Sequence, residues 1–468
     1  MSSPIDEAEL SARLTAALQR AGEAEVEVYA KAVHRGFARF AIGELGQHMD
    51  LDEPFVVVRV ARGAKVAEAR VSSLAVEAIV EAIRKAGTAA ELLPESPDFA
   101  GFAGADEPEG PRPPRFSDAT AQSTSEARVE ALAPALEAIR KAGLVSAGSL
   151  DALTTVEAVA TTRGLARTHA STMASFQVWA LETAGAGGAS GYGHACHRDI
   201  TQLDLLAEAE EAIRLASLSK DPIALEAGAY DVVLGAPAMA TIVEWLSGIA
   251  FGAREFHQGT SATSGRIGER ITGENVGIEE DPLDASELGF GTPFDREGTW
   301  RRRVPLVERG IARGVLYDRT WGKRFGQPST GSAALSFFSD GAPAASALHV
   351  APGEASSVDE LLSGIERGLY VRRLHYVNGL LEPRRAVMTG LTRDGTFLVE
   401  NGRIVRAVGG LRFTDSITEA FARLDGLTRK RWALPSAWAA GEAVVTPAAR
   451  IRRLVFSSGS QKPVSPVG

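Results

Sequence analysis

Hydrophobic residues recur at helical spacing in four segments of the first half of the chain. In residues 5–21, Leu10, Leu14 and Leu18 repeat at every fourth position, and Gly22 follows as a stop signal. Each repeat of this kind places an apolar stripe along one face of a helix. The same amphipathic pattern predicts three further helices, at residues 74–86, 126–142 and 203–218.

Alternating apolar and polar residues predict strands between these helices. Valines alternate with charged residues in EVEVYAKAV and PFVVVRVARG, and Gly63 lies at an expected hairpin turn. Residues 144–200 are rich in Thr, Val and aromatic residues, which favour strands. The glycine-rich piece 183–193 lacks the Lys-Ser/Thr ending of a phosphate-binding loop, so we interpret it as a hairpin tip.

The second half of the chain begins with a strand, a tight turn and a mostly buried helix in GAYDVVLGAPAMATIVEWLSGIAFGAREF. Short strands and glycine turns then continue to the C-terminus. NGRI and RDGT are predicted hairpin turns, because Asn-Gly and Asp-Gly accept positive φ. The second half is therefore predicted to be rich in β-structure.

These patterns predict an α+β protein with more than one domain. A length of 468 residues exceeds what one ordinary core supports. We assign an N-terminal sheet-plus-helices unit to residues 1–90 and a Pro/Gly-rich linker to 91–125. A middle α+β unit follows at 126–222, a β-rich C-terminal domain at 223–458 and a flexible tail at 459–468.

Charge and cysteine content narrow the possible functions. The net charge of −9 argues against direct binding of nucleic acid, which requires a basic face. We interpret Arg301, Arg302 and Arg303 as a solvated strand or loop end. A single cysteine excludes an intrachain disulfide and fits a reducing compartment. No stretch reaches the roughly 20 apolar residues of a membrane span. We therefore expect a soluble, cytoplasmic protein without membrane association.

A few side chains could carry chemistry without any resemblance to a known family. His194, Cys196 and His197 form HACH, and a strand would place His194 and Cys196 on one face. A structural metal site needs four ligands, and the chain offers no CxxC partner, so HACH is a weak metal candidate. The chain contains neither HExxH nor GxSxG. Paired acids such as Asp295 and Glu297 could serve acid–base chemistry or cap turns.

An ordered set of motifs between residues 228 and 331 resembles the C-terminal domain of the TldD/PmbA family, once described as modulators of DNA gyrase. The motifs are YDVVLGAPAMATIVEWL, GTSATSGRIGERI, VGIEEDP, PFDREG, VPLVERGIARGVLYD and PSTG. Their order and spacing make the resemblance specific, and the first 225 residues fit the family more loosely. TldD-type members carry a zinc-binding HExxxH on the helix after the YDVVL-like strand.

The chain departs from that zinc pattern. The first His of HExxxH falls near Glu244, the Glu near Trp245 and the second His near Ile249, and no His occurs between His197 and His257. A catalytic zinc needs three protein ligands, so the resemblance is to the TldE/PmbA type, and no intrinsic metal is expected. The resemblance implies a partner subunit that carries the zinc, a homodimer or heterodimer, and an extended peptide as substrate.

The resemblance also suggests residues beside the peptide cavity. Phe256 and His257 precede the GTS motif and are expected to line the cavity. The GTS motif itself is Gly259, Thr260 and Ser261. Glu269, Asp295 and Glu297 lie next to glycines, where they would fix turns or bind the substrate backbone; we favour turn-fixing.

Three functions follow from these observations. The first is a non-catalytic subunit of a TldD/TldE-type metalloprotease that processes or degrades unfolded or modified peptides. The second is a standalone hydrolase with an unrecognised site, such as HACH. The third is a non-proteolytic protein that binds gyrase or another partner.

Overall fold

Six strands from the first half of the chain form one antiparallel sheet, here called the N-terminal sheet. The computed structural model describes residues 5–22, 24–182, 188–335 and 341–459. The strands are β1 (Glu25–Ala41), β2 (Glu44–Arg62), β3 (Lys65–Val71), β4 (Val145–Thr161), β5 (Ala166–Leu181) and β6 (Ser190–His197). They lie in the order β3-β2-β1-β4-β5-β6. Because β1 pairs with β4, strands of the predicted first and middle units share one sheet.

Helices cover one face of the N-terminal sheet. They are α1 (Glu7–Leu18), α2 (Val76–Leu92), α3 (Asp118–Ala121), α4 (Ser125–Lys141) and α5 (Leu205–Leu218). The four helices predicted from periodicity are all present. Helix α1 begins where the Asp6 carboxylate accepts a hydrogen bond from the Glu9 N–H, and it buries Leu10 and Leu14 against the sheet.

Successive side chains of β1 point to opposite faces of the sheet and so lie in two different environments. Val26, Val28 and Ala30 face the helices and join their core. Val33, on the opposite face, packs with residues of the second half, including Phe290. One face of the N-terminal sheet therefore supports helices, while the other faces the C-terminal domain.

The C-terminal domain is built on a mixed sheet to which eleven of the described strands belong. The strands are β7 (Gly228–Leu234), β8 (Ile278–Glu280), β9 (Val304–Glu308), β10 (Ile311–Ala312), β11 (Ala347–Val350), β12 (Arg367–Glu382), β13 (Val387–Glu400), β14 (Arg403–Ala407), β15 (Arg412–Ser416), β16 (Leu424–Pro435) and β17 (Ala443–Ser458). The helices are α6 (Ala236–Ala250), α7 (Ala253–His257), α8 (Arg319–Phe325), α9 (Val358–Ser363) and α10 (Ile417–Ala422). The predicted α+β class and β-rich C-terminal half are confirmed.

Helix α6 is the apolar helix predicted after the YDVVL strand. It follows β7 through Gly235 and is buried along most of its length, with Met239, Ile242 and Val243 fully enclosed. Among the described residues, no helix combines the length and apolar character needed to cross a bilayer. The apolar character of α6 therefore reflects its place in the core of the C-terminal domain.

One of the two predicted Asn/Asp-Gly hairpin turns is correct and the other is wrong. Asn401-Gly402 joins β13 to β14 as expected. Asp394-Gly395 instead lies inside β13, where both residues have positive φ and the pairing with β12 skips a residue after Val371. The dipeptide forms a bulge because Asp394 bonds to distant groups, the Trp179 indole N–H at 3.0 Å and Arg373 at 2.6 Å.

Two predictions fall wholly or partly outside the described residues. The glycine-rich tip includes residues 183–187, which are not described, although its flanking strands β5 and β6 pair as antiparallel neighbours. Of the predicted tail, only residue 459 is described.

Candidate functional site

A cleft lies between the N-terminal sheet and the C-terminal domain. The connection between β16 and β17, residues 436–442, runs through it and is here called the 436–442 segment. Three chambers adjoin this segment, with volumes of about 510 Å³ for the first, 670 Å³ for the second and 30 Å³ for the third. Trp438, Ala439 and Glu442 line all three chambers.

Both sides of the cleft hold the 436–442 segment. From β1, Lys31 Nζ donates a hydrogen bond to the Ala440 carbonyl oxygen at 2.8 Å. From α6, Glu244 Oε1 accepts hydrogen bonds from Ser436 Oγ at 2.5 Å and from the Ala437 N–H at 2.9 Å. The segment is thus fixed by one cation and one carboxylate from opposite walls.

Glu244 lies on α6 near the position predicted for the first His of a zinc motif. Burial raises its pKa, and the hydrogen bonds from Ser436 and Ala437 oppose that rise. Trp245, the next residue, packs edge-to-face against Trp438 with ring centroids 5.1 Å apart. Within the described residues, no group of three or more His, Cys, Asp or Glu is arranged to hold a metal ion. The side chains on this helix therefore do not fit a catalytic zinc.

A hydrogen-bonded cluster from the N-terminal sheet lines the first chamber. Tyr29 Oη donates to Glu157 Oε2 at 2.6 Å, and Lys31 Nζ lies 3.3 Å from Glu157 Oε1. Burial and the neighbouring Glu157 carboxylate raise the pKa of Tyr29. Burial acts to raise the pKa of Glu157, but Lys31 and Tyr29 outweigh it and the pKa is lowered. The cluster therefore holds an ionised carboxylate beside a neutral phenol.

Glu442 differs from Glu157 in having no partner. Among the described residues, no hydrogen-bond donor or cation pairs with its carboxylate. Burial raises the pKa of Glu442 to about 7, while Lys31 and Arg301 act to lower it. A carboxyl group of this kind in a cleft is a candidate functional group.

Asp295 fixes the turn of the PFDREG motif. Its Oδ1 accepts hydrogen bonds from the N–H groups of Glu297 and Thr299, both at 3.0 Å. Its Oδ2 accepts from the Ala333 N–H at 2.9 Å. Burial and the neighbouring Glu297 raise the pKa of Asp295 to about 7.

Glu297 joins the two halves of the chain. Its carboxylate accepts from Arg59 Nη1 of β2 at 2.8 Å and from the Arg319 N–H at 3.0 Å. The same Arg59 Nη1 lies 2.9 Å from Glu27 on β1. Arg296, between the two motif acids, lines the first chamber. Neither Asp295 nor Glu297 lines a chamber.

The GTS motif is tied to the end of α6. Ser261 Oγ donates to the Ala250 carbonyl oxygen at 2.6 Å, and so does Thr263 Oγ1 at the same distance. Thr260 donates through its N–H and its hydroxyl to the Glu255 carbonyl oxygen. Ser261 therefore caps the end of α6, Thr260 bonds to α7, and none of Gly259, Thr260 and Ser261 lines the three chambers.

Phe256, His257 and Glu269 also lie outside the three chambers. His257 Nε2 is 3.0 Å from Tyr317 Oη, and its ring stacks on Phe325. Phe256 meets the His257 ring edge-to-face. Glu269 is exposed and lies 3.4 Å from Arg266 Nε. Phe256 and His257 belong to α7, which follows α6 directly.

The HACH residues make separate local contacts. His194 stacks on Tyr192, and burial together with Arg372 lowers the pKa of His194. Burial raises the pKa of the Cys196 thiol. The Asp199 N–H donates to His197 Nδ1 at 2.9 Å. The structure thus gathers no common ligand set from these side chains.

Sequence reasoning missed Lys31, Trp438 and Glu442, and it misassigned Arg301. Arg301 is buried, with Nε donating to the Phe294 carbonyl oxygen at 3.1 Å, so the solvated interpretation is wrong for this residue. The three missed residues belong to no recognisable sequence motif. A Trp flanked by small residues in SAWAAGE was the available signal for the 436–442 segment.

The C-terminal domain has a counterpart among known protein families. Residues 227–458 match the family model described as the PmbA/TldA metallopeptidase C-terminal domain. The chain belongs to the TldD/PmbA family.

Individual relatives are similar over about half of their length. A metalloprotease of Methanothermobacter thermautotrophicus is 27% identical over 243 residues, which is 52% of this chain and 51% of that protein. A metalloprotease TldD homolog of Haemophilus influenzae is 24% identical over 223 residues, 47% of this chain and 45% of that protein. The chain thus spans about half the length of these two curated relatives.

A solved structure extends the likeness of the fold to nearly the whole chain. TldE from Thermococcus kodakarensis aligns with a TM-score of 0.84 and 18% identity, covering 96% of this chain and 99% of that one. At this identity the comparison shows that the two proteins share a fold.

Proposed function

We propose that this chain is a non-catalytic subunit of a TldD/TldE-type metalloprotease. The observation that carries the proposal is the hydrogen bonding of Glu244. The residue at the expected first zinc-ligand position is tied to Ser436 and Ala437, and α6 offers no His to complete a metal site. Catalytic zinc is then supplied by a TldD-like partner subunit.

The cleft supports a role in admitting peptides. Its two larger chambers have volumes in the range of ligand-binding cavities. Lys31 already donates to a peptide carbonyl group and Glu244 accepts from a peptide N–H, both of the 436–442 segment. Groups that hold a backbone in this way can also hold an extended peptide. The proposed substrates are therefore unfolded or modified peptides, and the proposed compartment is the cytoplasm.

Reconstitution with a family member that carries HExxxH tests the proposal. The two chains are mixed, their mass is measured by light scattering after gel filtration, and cleavage of an unfolded peptide is followed. We expect a complex, with cleavage that requires both chains and is lost when the partner's zinc ligands are replaced. A mixture that shows neither complex nor cleavage would contradict the proposal.

Metal analysis of the chain purified alone is the second test of the proposed function. We expect less than about one tenth of an equivalent of zinc, because a protein site requires at least three ligands. Stoichiometric zinc together with hydrolysis by the chain alone would instead support the standalone hydrolase.

A further inference from the structure

Glu442 is a carboxylate that lines all three chambers beside Trp438. No hydrogen-bond donor or cation among the described residues pairs with it. We propose that Glu442 and Trp438 form a binding site for a primary ammonium group, supplied by the amino terminus of a peptide or by a lysine side chain. The identity of the ligand as a peptide rests on the proposed function.

The cations around the first chamber are paired with acids other than Glu442. The lining holds four cations, Lys31, Arg70, Arg296 and Arg301, and three acids, Glu53, Glu157 and Glu442. Lys31 lies 3.3 Å from Glu157, Arg70 and Arg296 share Glu68, and Arg301 is 4.0 Å from Glu280. These pairings leave Glu442 without a cationic partner among the described residues.

Glu442 also lines the third chamber, where no described cation accompanies it. The charged lining residues of this chamber are Glu244 and Glu442, with no Lys or Arg among the lining residues that the structure describes. Glu244 accepts two hydrogen bonds from the 436–442 segment. Glu442 is therefore the acid left to accept hydrogen bonds from a ligand.

Trp438 supplies the second half of an ammonium site. The face of an aromatic ring attracts cations, and indole does so best. A carboxylate beside such a ring adds charge-assisted hydrogen bonds, which are stronger than neutral ones. Glu442 is half-buried, and a partner such as an ammonium group stabilises an ionised acid that is partly withdrawn from water.

The raised pKa of Glu442 agrees with a carboxyl group that has no paired cation among the described residues. Burial raises its pKa to about 7. The groups that act on it are Lys31 from β1, Arg301 before β9, Glu157 from β4 and Glu280 from β8. Because the two cations are engaged by other carboxylates, they leave the pKa of Glu442 high, and a bound ammonium would lower it.

Calorimetric titration of the full-length chain with three C-terminally amidated peptides tests the site. The probes are tri-alanine amide with a free amino terminus, the same peptide acetylated, and acetyl-Ala-Lys-Ala amide. We expect at least one ammonium probe to bind about tenfold or more tightly than the acetylated probe, since charge-assisted bonds contribute on that order. Which ammonium probe binds identifies the source of the group.

Glu442→Gln supplies the decisive variant, and Glu53→Gln is the matched control. Both acids line the first chamber, and each change replaces one carboxyl group with a neutral amide. We expect Glu442→Gln to weaken binding of the ammonium probe about tenfold or more. Glu53→Gln should leave the dissociation constant of that probe within about twofold of the wild-type value. Equal binding by the wild type and Glu442→Gln would overturn the proposal. If Glu442→Gln fails to fold, equal binding of the acetylated and ammonium probes by the wild type overturns it.

This experiment is independent of the test of the proposed function. Binding is measured on the chain alone, whereas subunit function is measured as complex formation and cleavage with a zinc-bearing partner. A chain that pairs and supports cleavage, but binds the three probes equally, refutes the ammonium site and leaves the subunit role intact. A chain that binds ammonium through Glu442 but forms no complex refutes the subunit role and leaves the ammonium site intact.

Discussion

Ser436 Oγ donates a hydrogen bond of 2.5 Å to Glu244 Oε1, which joins the β16–β17 connection to helix α6. The contact links residues 192 positions apart in the sequence. It places a serine–carboxylate pair on α6, near the position predicted for a metal ligand. The same pair anchors the 436–442 segment inside the cleft.

Replacing Ser436 with Ala should destabilise the protein. Glu244 is largely buried and would keep only the Ala437 N–H as a donor. We expect a loss of about 1–3 kcal/mol in the free energy of unfolding, the usual cost of a buried acceptor that loses a partner. Urea denaturation measures it, with the exposed Ser217→Ala on α5 as control. Equal stability of the two variants would show that the anchor contributes little.

Arg59→Met should weaken the joint between the two halves of the chain. Arg59 pairs at once with Glu27 and Glu297, and both carboxylates are buried. Removing the cation leaves two uncompensated acids, and breaking a buried pair of this kind costs about 3–5 kcal/mol. Chemical denaturation tests the expectation. Arg70→Met, at a side chain that is 52% exposed, serves as control and should change stability little.

The stability difference between Glu442→Gln and the wild type should depend on pH. Burial raises the folded-state pKa of Glu442 to about 7, so the fold prefers its neutral form. That contribution is fully present below the unfolded pKa of about 4.3 and is lost as pH rises towards and through 7.

We therefore expect Glu442→Gln to match the wild type near pH 4 and to exceed it by on the order of 2 kcal/mol at pH 8. Unfolding measured at both pH values checks this. A constant difference between Glu442→Gln and the wild type would mean that Glu442 titrates normally.

Gly395→Ala should disrupt the bulge in β13. Gly395 has φ of +121°, and an added Cβ would lie 2.9 Å from the Arg372 Cβ. We expect a loss of about 1–3 kcal/mol, the range for backbone strain of this kind. Gly43→Ala is the control, since Gly43 also has positive φ but has open space around it. If Gly395→Ala lowers the free energy of unfolding no more than Gly43→Ala does, the positive φ explains the whole effect and the contact with Arg372 adds nothing.

The sequence by itself determined the local elements and the family. Helices such as α1 and α6 follow from apolar spacing and stop signals within one window of the chain. The absence of His between His197 and His257 is also read directly. These features depend on neighbouring residues, and short-range periodicity therefore captures them.

Only the tertiary structure decided the cleft and its chemistry. Lys31 and Ala440, which hold the 436–442 segment, are 409 residues apart, and no local pattern relates them. Asp394-Gly395 has the signature of a hairpin turn, yet contacts with Trp179 and Arg373 keep it within a strand. Glu442 is an ordinary acid in the sequence and becomes distinctive because it lines the cleft and pairs with no donor or cation in the part of the chain that the structure describes. Burial and pairing are properties of contacts between distant segments, and folding alone creates them.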